Sequence, residues 1–328
     1  MELRTTFDIS KSEKKITYAD NVMFIGSCFA SSIGSQMEIG HMPVMINPAG
    51  AVFNPVSVCN TLDTITVNNE FHIEDLHFYD GTWLSFYHYT DFSSNDPAKV
   101  LEKINKSSRA AYEFLKNTGF LFITLGTARV YKLKKSGLIV SNCHKIPAEQ
   151  FEFQLLSPED IVEIWSAQLD KLHDLFPKLN IVFTISPVRH WKDGAHGNQV
   201  SKSILFVAVE ELLHHKTLPG YFPAYELLMD DLRDYRFYSD DMLHPSASAI
   251  SYIWESFTDC YLDKATFGIW KEVSKITKAY NHHFMTDSEE KKDFFARKVL
   301  KQISDIKIKV PSIDLSPEED YFLKMRIV

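Results

Sequence analysis

The chain has 328 residues, 45% of them apolar, which suffices for the core of one large domain with additions or of two domains. Its formal net charge is −8, so it lacks the basic excess with which proteins bind nucleic acid or anionic membranes. We therefore expect neither nucleic acid nor a membrane among its partners.

The N-terminal segment and the cysteines indicate the compartment. The chain starts with many charged residues, and no apolar segment typical of a signal peptide follows them. No apolar run approaches the roughly 20 residues that a membrane span needs. The four cysteines form no C-x-x-C pair, which argues against a disulfide scaffold or a structural zinc site. The sequence therefore predicts a cytoplasmic protein.

Short apolar runs alternate with amphipathic segments along most of the chain. The apolar runs are predicted as buried strands, at residues 22–25, 44–46, 120–125, 180–185 and 225–229. Helices are predicted between and after them, one ending near residue 37 and others at 56–66, 97–117, 157–176, 198–216 and 246–262. This alternation is typical of a parallel sheet with helices on both faces, so we predict an α/β protein.

Two hairpins and a C-terminal extension are expected in addition. The hairpin at about 70–92 turns at Asp80-Gly81, and the one at 131–146 turns at Ser136-Gly137. The aromatic side chains of the first hairpin either pack on the body of the protein or line a substrate cleft. We predict an α/β domain over residues 1–263 and a mainly helical extension over residues 264–328.

The first predicted strand leads into a turn with two possible nucleophiles. Gly26 allows a sharp turn, and Ser27 and Cys28 follow it at the predicted start of a helix. Such a turn lifts a side chain above the sheet edge, and the helix N-terminus favours an anion there. The alternative is an ordinary strand-to-helix turn that happens to contain Ser27 and Cys28.

A second stretch with possible catalytic residues lies in the loop before the helix at 246–262. Asp241 precedes His244 by three residues, so its carboxylate can accept a hydrogen bond from one ring nitrogen and leave the other to act as a base. The alternative is a His244 that caps or packs. Ligands of parallel sheets bind at the carboxyl ends of the strands, where both stretches are expected.

Further polar residues follow the fourth predicted strand. Arg189 can hold a carboxylate or phosphate and His190 can contact substrate, although both also fit a solvated loop with a salt bridge. His190 and His196 lack further ligands nearby, so no metal is expected. No Walker or dinucleotide glycine pattern occurs, and we expect no cofactor.

The stretch Gly26-Ser27-Cys28-Phe29-Ala30 resembles the signature of the GSCFA family, which is similar to the SGNH (GDSL-like) hydrolases. The resemblance covers roughly residues 20–262, and Asp241-x-x-His244-Pro245 matches the fifth SGNH block. It implies a three-layer α/β/α sandwich with a five-stranded parallel sheet, and the hydrolysis or transfer of acyl esters. In the Gly-Asp-Ser of SGNH enzymes the Ser is third, and that register favours Cys28 over Ser27.

The resemblance also implies an oxyanion hole, with one departure. Backbone N–H groups of the nucleophile and of Gly50 would contribute, together with an Asn side chain in a Gly-x-Asn-Asp block. Here that block reads Gly126-Thr127-Ala128-Arg129, so the Asn is absent. Removing one oxyanion donor typically raises the barrier by about 2.7–4 kcal/mol. The candidates to replace it, each of which is alternatively a structural residue, are Asn47, Asn54, Thr127 and Arg129.

We therefore expect an acyl-ester hydrolase with a nucleophile–His244–Asp241 triad, acting on a small-molecule or carbohydrate acyl ester. One alternative is an acyltransferase in which a thioester donor acylates Cys28. The other is a non-catalytic binding module that keeps the fold with a degenerate site. The missing Asn supports the binding module, and the retained Asp241 and His244 count against it.

Overall fold

The computed structural model of the protein describes residues 5–68, 70–281 and 288–326. The strands of the described chain are β1 (Asn21–Gly26), β2 (Val44–Ile46), β3 (His77–Tyr79), β4 (Thr82–Leu84), β5 (Thr118–Leu125), β6 (Arg129–Leu133), β7 (Ile139–Val140), β8 (Phe151–Leu155), β9 (Asn180–Ile185) and β10 (Gly220–Tyr221). The helices are α1 (Cys28–Ile39), α2 (Pro55–Val67), α3 (Pro97–Leu115), α4 (Pro158–Leu175), α5 (Gly194–Leu213), α6 (Ala224–Glu226), α7 (Ala247–Tyr261), α8 (Lys264–Tyr280), α9 (Glu289–Lys309) and α10 (Ser316–Lys324).

The central sheet has five strands in the order β10-β9-β5-β1-β2, all parallel. Because side chains alternate along a strand, the apolar residues of β1 and β5 fill both faces of the sheet. On one face the stacked rings of Phe24 and Phe122 meet Phe257 of α7. On the other, Ile25 and Ile123 join the buried faces of α2, α3, α4 and α5. The predicted three-layer α/β/α sandwich is thereby confirmed.

The predicted hairpins form a second, smaller unit of packing. β3 and β4 pair antiparallel around Asp80 (φ 46°) and Gly81 (φ 73°), the two positive φ values of a type I′ turn. β6 pairs with β7, as predicted, and also with β8, which the sequence did not suggest. Phe86, which follows β4, packs against Phe151 of β8, so the first hairpin lies on the second.

The prediction of a strand at 225–229 is wrong. This segment is helical, with α6 continuing into a π-helix over Leu227–Leu232. Leu, Met and Glu favour helices, and a short apolar run does not by its period distinguish a buried strand from a buried helix. The fifth strand is instead β10, whose Tyr221 pairs with Phe183, and its two residues are too few to show a pattern.

The C-terminal helices α8, α9 and α10 pack on the face of the sheet that α1 covers. Trp270 Nε1 donates to the carbonyl of Gln36 at 2.7 Å, and its ring occupies the space where a side chain on Gly40 would lie. The division of the chain at residue 263 stays a prediction. Within the described residues, no helix combines the length and the apolar character needed to cross a membrane.

Candidate active site

The turn after β1 is built to hold its conformation. Gly26 has φ +148°, and a Cβ at this position would lie 2.2 Å from the carbonyl oxygen of Thr124, so the turn requires glycine. The N–H of Gly26 donates to Asn47 Oδ1 at 2.8 Å, and Asn47 Nδ2 donates to Ser31 Oγ at 2.8 Å. Asn47, a candidate oxyanion donor, is therefore used to fix the turn to α1.

The two candidate nucleophiles differ sharply in exposure. Ser27 is the N-cap of α1, 2% exposed; its Oγ accepts from the N–H of Phe29 at 3.2 Å and donates to Ser186 Oγ at 3.0 Å. Cys28 is the first residue of α1 and is exposed. Of these two side chains, only that of Cys28 is exposed at the surface.

Neighbouring groups shift the pKa of the Cys28 thiol in opposite directions. Although its surface is exposed, the surrounding protein desolvates the thiolate, and this raises the pKa of the thiol above its usual value. The N–H groups of Cys28 and Phe29 and the ammonium of Lys202 act in the opposite direction, while Asp241 raises the pKa further. The thiol therefore needs a base to take its proton at neutral pH.

Asp241 and His244 are hydrogen-bonded in an arrangement that could supply such a base. Oδ1 of Asp241 accepts from the N–H groups of Leu243 and His244, both at 2.9 Å, and these bonds lower the pKa of the carboxyl to about 2. Its Oδ2 lies 2.6 Å from Nδ1 of His244. An ionised carboxylate can only accept, so Nδ1 carries the proton and Nε2 is left as the basic nitrogen.

Hydrogen bonds bring the two stretches to the same end of the sheet. Ser27 Oγ, beside Cys28, donates to Ser186 Oγ at 3.0 Å in the loop after β9. The N–H of Arg189 in that loop donates to the carbonyl of Leu243, beside His244, at 3.3 Å. Within the described chain no hydrogen bond joins Cys28 to His244. In enzymes without substrate, catalytic hydrogen bonds are often long and shorten only in the complex.

Lys202 of α5 lies at the same end of the sheet and was not identified from the sequence. It is 1% exposed, and its Nζ donates to the carbonyl of Ser186 at 2.5 Å. Burial, and next the charge of Arg189, lower its pKa to about 7, whereas the charge of Cys28 raises it. The sequence contained a signal that Lys202 is buried, because its spacing places it on the apolar face of its helix. The other buried residues of that face are Asn198, Ser201, Leu205, Ala208, Val209 and Leu212.

Two of the other oxyanion candidates have structural partners near α2. The N–H of Gly50 donates to the carbonyl of Asn47 at 2.7 Å, within a turn where Gly50 has φ +80°. Asn54 is the N-cap of α2: Oδ1 accepts from the N–H of Ser57 at 2.8 Å and Nδ2 donates to Ser57 Oγ at 2.9 Å. Gly50 and Asn54 thus organise the loop and do not contact Cys28 by a hydrogen bond.

Thr127 and Arg129 have partners on or beside α5. Thr127 is buried with its Oγ1 2.8 Å from Ser201 Oγ. Nε of Arg129 lies 3.3 Å from Oδ2 of Asp193, and its guanidinium stands 5.0 Å from the ring centre of Phe153. Both side chains anchor the strand ends to the neighbouring helix and hairpin.

His190 lies beside Gly126, the first residue of the block in which the Asn is absent. Its Nε2 is 3.1 Å from the point at which a Cβ on Gly126 would stand, and its ring centre is 5.1 Å from that of Phe53. Burial, and then the charges of Lys202 and His244, lower the pKa of His190 to about 4. His190 is therefore neutral at pH 7 and keeps one ring N–H to donate.

The fold and these side chains define a three-layer α/β/α protein with a cysteine, a histidine and an aspartate at the carboxyl ends of parallel strands. Residues 21–257 match the GSCFA family, and the chain belongs to that family. A comparison with curated proteins finds no match. Among solved structures, the chain is similar to a proposed platelet activating factor from Streptococcus pneumonia, with 14% identity and a TM-score of 0.39 over 73% of this chain and 83% of the other.

Proposed function

We propose that the protein is an acyl-ester hydrolase in which Cys28 is the nucleophile, His244 the general base and acid, and Asp241 the residue that orients His244. The observation that carries this proposal is an exposed thiol at the N-terminus of α1, at the same end of the sheet as a hydrogen-bonded Asp–His pair. The resemblance of both motifs to SGNH hydrolases supports ester chemistry.

In the first half of the reaction, Nε2 of His244 takes the proton of Cys28, and the thiolate attacks the carbonyl carbon of the ester. A C–S bond forms, the C–O bond to the alcohol breaks, and His244 returns the proton to the departing alkoxide. In the second half, His244 takes a proton from water, whose oxygen attacks the thioester. The carboxylic acid leaves and the proton returns to the sulfur of Cys28.

The oxyanion in each half needs donors at the strand ends. The N–H of Cys28 lies at the free N-terminus of α1, where the helix dipole favours negative charge. We assign the second donor to His190, because its neutral ring lies beside Gly126, the first residue of the block that lacks the Asn. Gly50 is assigned no direct role, since its N–H already donates to Asn47.

The second candidate is a binding module with a degenerate site. The absence of a direct hydrogen bond between Cys28 and His244 in the described chain favours it. The low pKa of Asp241 counts against it, because the carboxylate that orients His244 is retained in its ionised form.

Hydrolysis of 4-nitrophenyl acetate by four proteins tests the proposal: the wild type, Cys28→Ala, His244→Ala and His214→Ala. His214 is an exposed histidine at the end of α5 and serves as the matched control. We expect turnover in the wild type and in His214→Ala only. Turnover that survives in Cys28→Ala would refute the thiol as nucleophile. No turnover together with slow alkylation of Cys28 would favour the binding module, and no turnover with fast alkylation would favour acyl transfer.

A further inference from the structure

A cavity of about 600 Å³ opens beside the Asp241–His244 pair. Asp241 itself lines it, together with Arg189 from the loop after β9 and Met229 from the π-helix. Its volume lies within the range typical of sites for small organic ligands. The position next to the proposed base makes it the place where a substrate would lie.

Arg189 enters this cavity without a carboxylate partner in the described part of the chain. Its Nη1 lies 4.0 Å from the sulfur of Met229, its guanidinium lies 5.8 Å from the ring centre of Trp191, and its buried Nε has no hydrogen-bond partner. Asp241, one of the acidic residues that line the cavity, is hydrogen-bonded to His244. A guanidinium in this state presents a fork of donors to an incoming oxyanion.

Other charges around the cavity do not neutralise Arg189. Asp230 pairs with Arg233 at 3.4 Å, and Asp234 pairs with Arg236 at 3.5 Å. The nearby Lys202 has a pKa lowered to about 7 by burial and by the charge of Arg189, so it carries part of a positive charge at neutral pH. Among the described residues, neither Arg189 nor Lys202 forms an ion pair with a carboxylate.

The mouth of the cavity is apolar. Trp191, Tyr235 and Met242 line it and are 53%, 76% and 51% exposed. Large apolar side chains that cluster at this exposure mark a surface that a ligand covers. The cavity thus combines one unpaired guanidinium inside with an apolar rim outside.

We propose that this cavity binds an ester that carries an oxyanion, either a carboxylate or a phosphate, on an aromatic or otherwise apolar group. Arg189 holds the oxyanion, and the rim of Trp191, Tyr235 and Met242 packs against the apolar part. That the ligand is an ester rests on the proposed function, whereas the preference for an anion rests on the cavity alone.

Calorimetric titration tests the anion site without catalysis. The probes are 4-hydroxybenzoate and its neutral methyl ester, and the proteins are the wild type, Arg189→Gln, Arg189→Lys and Arg109→Gln. Arg109 is an exposed arginine that pairs with Glu70, and neither residue lines the cavity, so its variant controls for the change in net charge. We expect the wild type and Arg109→Gln to bind the carboxylate about 10- to 100-fold more tightly than the methyl ester.

Arg189→Gln should lose that preference while it binds the methyl ester as the wild type does, which also shows that the cavity is intact. Arg189→Lys keeps the charge without the fork and should fall between the two. If Arg189→Gln does not fold, the comparison of Arg189→Lys with the wild type decides. A wild type without preference, or an Arg189→Gln that retains it, would overturn the proposal. A third titration, with phenyl phosphate, distinguishes a carboxylate ligand from a phosphate ligand. Tighter binding of phenyl phosphate than of 4-hydroxybenzoate would assign the site to phosphate.

Kinetics separate this proposal from the proposed function. We expect kcat/KM for 4-acetoxybenzoate to exceed that for its methyl ester in the wild type and to drop to the neutral level in Arg189→Gln. Hydrolysis of both esters at equal rates would overturn the anion site and leave the hydrolase in place. No hydrolysis, with a calorimetric preference that Arg189→Gln abolishes, would overturn the hydrolase and leave the anion site in place.

Discussion

At the scale of single residues, Cys28 depends on its neighbours for reactivity. Burial of the thiolate and the charge of Asp241 raise its pKa, whereas the amides at the start of α1 and Lys202 lower it. In the proposed reaction Asp241 therefore has two opposed effects, since it also orients His244, the proposed base. The buried Lys202 would then lower the pKa of the proposed nucleophile without contacting substrate.

Replacing Lys202 by Met should slow the alkylation of Cys28 near pH 7. Loss of the ammonium removes an influence that lowers the pKa of the thiol, so less thiolate is present at each pH. Met fills the buried space and avoids a buried charge, while the carbonyl of Ser186 loses the hydrogen bond from Lys202. Mass spectrometry after timed iodoacetamide treatment at pH 6 to 9 measures the rate. Lys216→Met, at an exposed lysine paired with Asp170, is the control, and an unchanged profile in Lys202→Met would contradict the argument.

Replacing Asp241 by Asn should reduce the hydrolysis of an activated ester about 10²- to 10⁴-fold, because an amide at this position no longer fixes the tautomer of His244. The neighbouring Asp240→Asn changes charge equally and should leave the rate near that of the wild type. The pKa of Asp241, about 2, also implies that the carboxylate stays ionised throughout a pH profile from 4 to 9. Equal rates in the two variants would show that His244 does not need this partner.

The site residues show where sequence reasoning reached its limit. The motifs predicted Asp241 and His244 and offered Cys28 and Ser27 as alternative nucleophiles, since a turn and a D-x-x-H pair are local patterns. Lys202 was missed because its burial depends on how α5 packs against the sheet. The structural use of Asn47 likewise follows from contacts across sixteen or more positions of the chain, which no local pattern encodes.

At the scale of elements, the turn between β1 and α1 depends on one glycine. Gly26→Ala should lower the free energy of unfolding by at least about 2 kcal/mol, because the new Cβ would overlap the carbonyl of Thr124 at an unfavourable φ. Gly268→Ala, in α8 with nothing within 4 Å of the new Cβ, should raise it by about 0.5–1 kcal/mol. Urea unfolding measures the free energy of unfolding of both variants. A Gly26→Ala variant as stable as the wild type would refute the predicted overlap with Thr124.

Strands and hairpins could be predicted from the sequence where the apolar run was long or where the turn contained residues typical of one turn type. β5, β9 and the hairpin at Asp80-Gly81 follow from apolar runs and turn residues. The segment at 225–229 was misread because helix and strand bury short apolar runs equally well. β8 was missed because four of its five residues are exposed, so it lacks the apolar signal of a buried strand.

At the scale of the whole molecule, buried histidines make the free energy of unfolding depend on pH. Burial lowers the pKa of His88 to about 3 and that of His190 to about 4, whereas histidines of the unfolded chain titrate near 6.5. Between these values the unfolded chain binds protons that the native protein does not. The free energy of unfolding should therefore fall as the pH is lowered from 6.5 to 4.

Urea unfolding at several pH values measures this dependence. His88→Gln should flatten it, because one of the two groups no longer titrates, while the exposed control His214→Gln should leave it unchanged. An equally steep dependence in His88→Gln would show that other groups dominate the acid response.

The two outermost strands of the central sheet are also its shortest, with three residues in β2 and two in β10, whereas the central β5 has eight. An edge strand exposes unpaired N–H and C=O groups, and long edges recruit strands from neighbouring chains into aggregates. Because the edge strands of this sheet are short, each edge exposes only a few unpaired N–H and C=O groups. Folded copies should therefore not polymerise edge to edge, and the long inner strands become a template for fibres only after the chain unfolds.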